Sequence, residues 1–344
     1  MRYNVTIQET LARKVQVEAK SRIDAEKTVK KSYRDRDIIL DSDDFVATEF
    51  LVNSEPSFYK SPNNDFTIIQ GDCVETLSKF KFGFDMVFAD PPYFLSGGGI
   101  SCQSGKVVCV DKGEWDKPLS PEEMDAFNYR WLSAVRDHMK DNATIWITGT
   151  YHNIFSVQQQ LLKLNFKILN VITWAKTNPP PNISCRYFTY STEFIIWARK
   201  SQKVPHYFNY ELMRQLNGNK QMTDVWRMPA IGKWEKSCGK HPTQKPLGVL
   251  ARIIQASTRP CAWVLDPFSG SATTGIAANL LNRRYLGLEI ETNFLEMSRA
   301  RREEIESFDI RKLYLDKLSQ SGCIMPSDVA MLSEDTELYG IPWL

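Results

Sequence analysis

The chain is expected to be an α/β protein: an open, mostly parallel sheet covered by helices on both faces, preceded by a small α+β module. Three observations predict it. From Phe66 onward apolar β-rich runs alternate with helix-period stretches, the pattern of parallel strands joined by crossover helices. Two strand-like runs each end in an acidic-Pro loop, Asp90-Pro91-Pro92-Tyr93 and Asp266-Pro267-Phe268-Ser269-Gly270. Such loops lie at the carboxyl edge, where open α/β sheets hold ligands. Residues 53–65 collect Ser, Pro and Asn without a period, which marks a linker and sets 1–52 apart as a module of its own.

Taken in order, residues 2–9 and 13–19 alternate apolar and polar like two half-buried strands joined at Thr10-Leu11-Ala12, which reads as a hairpin. A charged helical stretch (Arg22–Tyr33) and a strand-like run (Phe45–Val52) complete the module. The main domain is expected over 66–320, with strands at Thr67–Ile69, Met86–Ala89, Thr144–Thr148 and Ile168–Trp174, and a helix near Ile154–Leu164. Ser120-Pro121-Glu122-Glu123 starts another helix, with a capping hydroxyl, Pro at the first helical position and Glu at the third. Residues 178–240 interrupt the rhythm with Pro179-Pro180-Pro181 and many aromatics. A helix (Pro246–Ser257), a strand (Ala262–Leu265), a helix (Thr273–Leu281), a strand (Tyr285–Leu288) and one long charged helix from Asn293 to about Leu318 follow, with 321–344 left as an unassigned tail.

Composition narrows the class. The 344 residues are 42% hydrophobic and 24% charged, which excludes disordered and fibrous proteins. Lys+Arg 43 against Asp+Glu 41 leaves +2, so any basic surface must be local. No apolar run reaches the ~18 residues that span a bilayer, and the first residues lack a signal peptide's apolar core. Seven cysteines without a C-x-x-C pair suggest neither disulfides nor a zinc site, so no metal is expected, and reduced thiols in a cytoplasm are.

The two loops carry the chemistry. After the buried run Met86–Ala89, consecutive prolines hold the backbone extended and leave the carbonyls of Asp90 and Pro91 free to accept. A carboxylate and a nearby carbonyl suit an exocyclic amine, and Tyr93 can stack on the ring that bears it. A Pro-rich turn with a capping Asp is the plainer alternative. The second loop runs from a strand into a helix, whose free N–H groups favour an anion such as a carboxylate. Nineteen residues past Gly270, at the next strand's end, Glu289 stands where a carboxylate can bridge ribose hydroxyls. A structural strand-to-helix turn is the alternative here; the absence of Gly-Lys-Ser/Thr excludes a triphosphate loop. Together the loops describe methyl transfer from S-adenosylmethionine to an amino nitrogen.

This pair of motifs resembles the amino-methylating DNA methyltransferases, with a Asp/Asn/Ser-Pro-Pro-Tyr/Phe catalytic loop and a Phe-x-Gly-x-Gly cofactor loop. The latter reads Phe268-Ser269-Gly270-Ser271-Ala272, with Ala272 in place of the last Gly. The motif order, catalytic loop first and cofactor loop last, is similar to the permuted β group. Asp90–Trp115, Thr173–Thr192 and Gly239–Pro246 resemble the DpnA-type enzymes of DpnII-like restriction-modification systems, and residues 1–52 resemble the DpnD/PcfM-like module. The resemblance implies a Rossmann-like S-adenosylmethionine-dependent methyltransferase sheet in circularly permuted motif order. It also implies adenine-N6 methylation of GATC in single- or double-stranded DNA. Asp90, Pro91, Pro92 and Tyr93 would be catalytic. Asp72, Asp266, Phe268, Gly270, Ser271, Thr273 and Glu289 would meet the cofactor, with Thr243 and Lys245 near its methionine part; an ordinary helix start is the alternative for Lys245. Asp rather than Ser at position 90 favours adenine over cytosine-N4. Other readings are cytosine-N4, RNA or protein-amide methylation and, in another class, a catalytically inactive DNA-binding regulator.

The substrate surface is expected in 178–240, the target-recognition region. Nine Lys/Arg between Arg199 and Lys240, Lys233 and Lys236 among them, interleave with Tyr207, Phe208, Tyr210, Trp226 and Trp234, as a phosphate-tracking, base-stacking face requires. A solvated charged face over core aromatics is the alternative. Asn178, Asn182 and Arg186 are placed to reach DNA, and Gly97-Gly98-Gly99 is either a lid hinge or a plain turn. A homodimer stays open as an assembly.

Overall fold

The computed structural model describes residues 4–53, 58–94, 100–103, 106–109, 116–182, 184–239 and 241–334. The chain divides into two units, Met1–Ser57 and Phe58–Leu344.

In the first unit, β1 (Asn4–Leu11) pairs antiparallel with β2 (Phe45–Asn53), and α1 (Arg22–Arg34) lies between them in sequence. The Ser21 hydroxyl caps α1 by accepting from the Asp24 N–H at 3.1 Å. The expected hairpin with 13–19 does not form. Those residues carry no strand and are exposed apart from half-buried Val17. Alternation identified β1 as a strand but not its partner, and Thr10-Leu11-Ala12 contains no residue suited to the positive φ of a tight hairpin turn.

The second unit carries β3 (Phe58–Lys60), β4 (Phe66–Gln70), α2 (Cys73–Leu77), β5 (Phe84–Ala89), an antiparallel pair β6 (Ile100–Gln103) and β7 (Lys106–Cys109), α3 (Pro121–Asp137), β8 (Met139–Gly149), α4 (Ile154–Lys163), β9 (Lys167–Lys176) and β10 (Thr192–Arg199). It continues with α5 (Tyr210–Leu216), β11 (Val225–Met228), α6 (Leu247–Ser257), β12 (Trp263–Asp266), α7 (Thr273–Leu280), β13 (Arg284–Glu289), α8 (Thr292–Glu304), α9 (Phe308–Gln320) and α10 (Asp328–Glu334). Nine strands form one sheet in the order β11-β9-β10-β8-β5-β12-β13-β4-β3. From β4 to β8 the pairing is parallel, so the carboxyl ends of β4, β13, β12, β5 and β8 share one edge. β10 runs antiparallel between β8 and β9, which brings its first residues to that same edge.

The two-residue period of the strands divides the core. Met86, Phe88, Trp146, Ile195 and Trp197 face α6, α7 and α9, while Val87, Ala89, Ile145, Ile147, Ile196 and Ala198 face α3 and α4. Ser120 and Glu123 close the expected capping box on α3. No helix among the described residues is long and apolar enough to cross a membrane.

Four expectations change. Within the 53–65 segment, Phe58–Lys60 adds as β3 antiparallel to β4, and 61–65 form a turn tied by the Ser61 hydroxyl to Asp65 at 2.8 Å. The 178–240 stretch, expected to interrupt the α/β rhythm, supplies the inner strand β10; largely buried on both faces, Phe194–Ala198 reads as a continuous apolar run rather than an alternating one. The long charged helix breaks between Glu304 and Phe308. Arg302 anchors α8 on Asp65 at 3.0 Å, and α9 turns to bury Tyr314, Leu315 and Leu318, which one straight helix could not do together. As far as Glu334 the tail packs too: Cys323, Ile324 and Leu332 are buried, and the Arg311 guanidinium donates to the Leu332 carbonyl at 2.9 Å.

Trp146 joins the halves of the sheet's core: it stacks on Trp197 at 4.7 Å, and its indole N–H donates to the Ser257 hydroxyl at 2.7 Å. Trp146→Ala is expected to cost about 3–5 kcal/mol of unfolding free energy, read from urea midpoints at unchanged m-value.

Candidate active site

Because β5 and β12 are neighbours, Asp90 and Asp266 emerge side by side, with Glu289 on β13 next and Gly71-Asp72 beyond β4. The loops enclose a cavity of about 250 Å³. Asp72, Thr243, Lys245, Asp266, Phe268, Gly270, Ser271, Thr273 and Glu289 all line it, as do Asp90 and Pro92. Pro91 and Tyr93 are buried and do not line it.

On one side the Gly-rich loop folds around Glu289. The Gly270 N–H donates to its Oε2 at 2.7 Å and the Glu291 N–H to its Oε1 at 2.9 Å. Gly270 has φ +52°, and a Cβ there would stand 3.0 Å from His241 Nε2, so this position needs glycine. Ala272 is also left-handed (φ 54°), but its methyl is fully buried in the core and does not face the cavity. The departure from the Gly pattern is thus accommodated away from the ligand side. From α8, the Ser298 hydroxyl donates to the Gly270 carbonyl at 3.0 Å and Arg301 to the Ser271 carbonyl at 2.6 Å. Asp266 accepts from the Phe268 N–H at 3.0 Å and the Thr274 hydroxyl at 2.6 Å. Burial pushes the Asp266 carboxyl up to about 7 despite these donors, and burial likewise raises Glu289 to about 7. Asp72 caps α2 by accepting from the Val74 and Glu75 N–H groups.

On the other side Asp90 holds three donors. Its Oδ1 accepts from the Tyr93 hydroxyl at 2.7 Å and the Thr148 hydroxyl at 2.6 Å; its Oδ2 accepts from Lys245 Nζ at 2.6 Å. Lys245 Nζ stands 3.9 Å from Glu193, which in turn pairs with Lys176 at 2.5 Å. Burial alone would lower the Lys245 ammonium, but the Asp90 and Glu193 carboxylates outweigh it and leave it raised. Asp116 accepts from the N–H groups of Tyr93 and Phe94 at 2.9 and 2.7 Å, and the Asn153 amide donates to the Pro92 carbonyl at 2.9 Å. Among the described residues no group of three His, Cys, Asp or Glu is arranged to hold a metal.

The DNA methylase profile matches residues 84–300, and a DpnD/PcfM-like profile matches 3–48. The Type II methyltransferase M2.MboI of Moraxella bovis is 57% identical over 72% of this chain and 91% of its own length. The chain belongs to the N6/N4 DNA methylase family. M2.DpnII of Streptococcus pneumoniae is 53% identical over 70% of the chain and 90% of the relative. Among solved structures, the M1.HpyAVI–SAM complex superposes with TM-score 0.53 at 26% identity, covering 69% of this chain and 98% of that one. The cytosine-N4-specific PvuII DNA methyltransferase (TM-score 0.56, 18% identity, 77% and 97% coverage) shares the fold.

In this DNA methylase, Tyr93 is not an open stacking face. Its ring is 7% exposed and its hydroxyl is bound to Asp90. Lys245, expected beside the cofactor's methionine part, lines the cavity but spends its charge on Asp90. The rings of 199–240 divide: Trp226 is buried near Trp146 and Trp234 packs on Tyr314 at 5.2 Å, while Phe208 and Tyr210 are exposed. Lys233 is exposed and Lys236 half-buried, on a turn whose buried Glu235 accepts from the Leu247 N–H at 2.6 Å. Asn178 accepts from the Ala230 N–H at 2.8 Å and Asn182 from the Ser184 N–H at 3.0 Å, so both shape loops, while Arg186 is exposed. Lys240 and Gly97–Gly99 lie outside the described residues. Thr148, Glu193, Lys176, Asn153 and Asp116 escaped the sequence reading; the one available signal was a lone polar residue ending an apolar strand, as at Thr148.

The raised carboxyls have a consequence for stability. The folded state holds their protons more tightly than the unfolded chain does, so the linkage slope is negative between the ordinary carboxylate range near 4 and about 7. Unfolding free energy of the ligand-free protein should fall across that window, by up to a few kcal/mol for Asp266. Asp266→Asn should flatten the fall when urea unfolding is compared at pH 5 and pH 8.

Proposed function

We propose that this chain transfers a methyl group from S-adenosylmethionine to the N6 amine of adenine in DNA, at GATC, on single-stranded as well as duplex substrate. Asp90 carries the reading. It follows the carboxyl end of β5, lines the cavity and already holds three donors. An ionised carboxylate offers about four acceptor positions, which leaves one for an amine hydrogen. The amine's lone pair is delocalised into the base, so accepting its hydrogen and bending the nitrogen toward tetrahedral geometry is the help that attack requires. Lys245, Tyr93 and Thr148 fix the orientation of the accepting oxygens, and Asn153 and Asp116 hold the loop behind them.

The cavity suits the cofactor. Each oxygen of Glu289 accepts one backbone N–H and keeps a lone pair for a ribose hydroxyl. Phe268 offers an apolar face, held edge-on by Trp131 at 5.2 Å. Asp266 and Glu289 favour a ligand with positive charge. When bound, S-adenosylmethionine supplies an electrophilic methyl on a cationic sulfur. Asp at position 90 supports adenine over cytosine-N4, and the likeness of Thr173–Thr192 and Gly239–Pro246 to DpnA-type enzymes supports GATC. Arg186, Lys233 and Lys236 are cations suited to phosphates.

Asp90→Ala should lower turnover by roughly 10²–10³ or more while calorimetric affinity for S-adenosylmethionine stays within a few-fold. Nucleoside analysis of product labelled by the wild type should give N6-methyldeoxyadenosine from GATC oligonucleotides of either strandedness. N4-methylcytosine, or equal labelling without GATC, would overturn the base or the sequence assignment. Cofactor affinity should also rise as pH climbs through about 7, because the positively charged ligand favours ionised Asp266 and Glu289; a flat calorimetric profile between pH 6 and 8 would contradict it.

A further inference from the structure

Four aromatic side chains stand in solvent on the edge of the sheet that carries Asp90. Phe188 is 94% exposed, Tyr187 58%, Tyr190 56% and Tyr151 44%. Fully burying one such ring is worth about 1.5–3 kcal/mol, so a contiguous group left outside is a site for something else to cover. The tyrosines are ordered among themselves. Tyr151 and Tyr190 stack at 5.3 Å with planes 21° apart, and their hydroxyls meet at 3.2 Å. Tyr187 follows at 5.5 Å from Tyr190, and His152 lies 3.8 Å from Tyr151 on the other side.

The position of this strip is set by the fold. Tyr151 comes three residues after Thr148, whose hydroxyl holds Asp90. Tyr190 precedes β10, whose Phe194 pairs with Gly149 at the end of β8. The loop that presents Tyr187 and Phe188 is shaped by Asn182, which donates to the Tyr187 carbonyl and accepts from the Ser184 N–H and hydroxyl, and by the left-handed backbone of Cys185 (φ 52°). Exposed Arg186 sits on the same loop.

We infer that Tyr151, Tyr187, Phe188 and Tyr190 are the stacking platform for the DNA bases that flank the target nucleotide. The inference rests on the reading of Asp90 as the acceptor of the target amine. Asp90 is recessed, its side chain 14% exposed, so the target base must leave its stack to reach it. Departure uncovers the faces of its neighbours. A row of rings on the same sheet edge as Asp90 covers those faces whatever the bases are, since every base has a π-face, and a cation on the same loop meets the backbone phosphate. Phe188, the most exposed ring, enters the opened stack.

The test uses the full chain and a fluorescent single-stranded GATC oligonucleotide, intact or with abasic residues on both sides of the target. Phe188→Ala should weaken binding of the intact strand about tenfold, and Phe188→Trp should restore it. Abasic flanks should weaken wild-type binding by a similar factor and leave Phe188→Ala unaffected. Equal affinity of Phe188→Ala and wild type, or an equal abasic penalty in both, overturns the platform. So does a self-association of the wild type, seen by sedimentation, that Phe188→Ala abolishes, for the ring would then belong to a contact between copies. Absence of methyl transfer by the wild type, with the binding pattern intact, would strike the reaction assigned to Asp90 and leave the platform standing.

Discussion

The second unit is organised around one buried ion pair. Asp90 and Lys245 lie 155 residues apart in sequence and meet at 2.6 Å, their side chains 14% and 8% exposed. Removing two charges from water costs several kcal/mol per ion, and their attraction offsets that only when the remaining lone pairs and protons are satisfied. The surroundings do this. Tyr93 and Thr148 fill Oδ1, Glu193 faces the ammonium, and Lys176 balances Glu193. The chain of alternating charges runs from the end of β5 through Lys245, two residues ahead of α6, to β10 and β9, so the Asp90 loop cannot be placed without strands from both the parallel and the antiparallel parts of the sheet.

That dependence explains the course of β10. An antiparallel strand between β8 and β9 brings its first residues, rather than its last, to the ligand edge. Glu193 reaches Lys245 for that reason, and Tyr190 stands beside Tyr151. The opposite face is secured by tryptophans, Trp146 on Trp197 and Trp226 beyond, which leave little freedom for the strand to slide.

What could be read from the amino-acid sequence was whatever is local along the chain. Asp90 and Asp266 each follow a buried strand directly, and Gly270 and Glu289 are separated by one helix and one strand, so a strand-loop-helix pattern reveals them. Thr148, Asn153 and Glu193 act on partners 58, 61 and 52 residues away and carry no local mark. Periodicity failed where burial is two-sided, as along Phe194–Ala198, and where it names a strand without naming its mate, as for β1. The basic and aromatic letters of 199–240 do not by themselves separate Trp226, which serves the core, from Phe208 and Tyr210, which stand at the surface.

Through Ser298 and Arg301, α8 holds the carbonyls of Gly270 and Ser271, and through Arg302 it grips Asp65 at the start of β4, next to the edge strand β3. The turn around Glu289 therefore borrows its rigidity from a helix on the sheet's flank, and the two open or close as a single cooperative unit. A ligand seated in that turn stabilises by mass action whatever the turn is tied to. Amide-exchange protection would then spread from the cavity into α8 and the neighbouring edge of the sheet, making an outer helix a reporter of events in the interior.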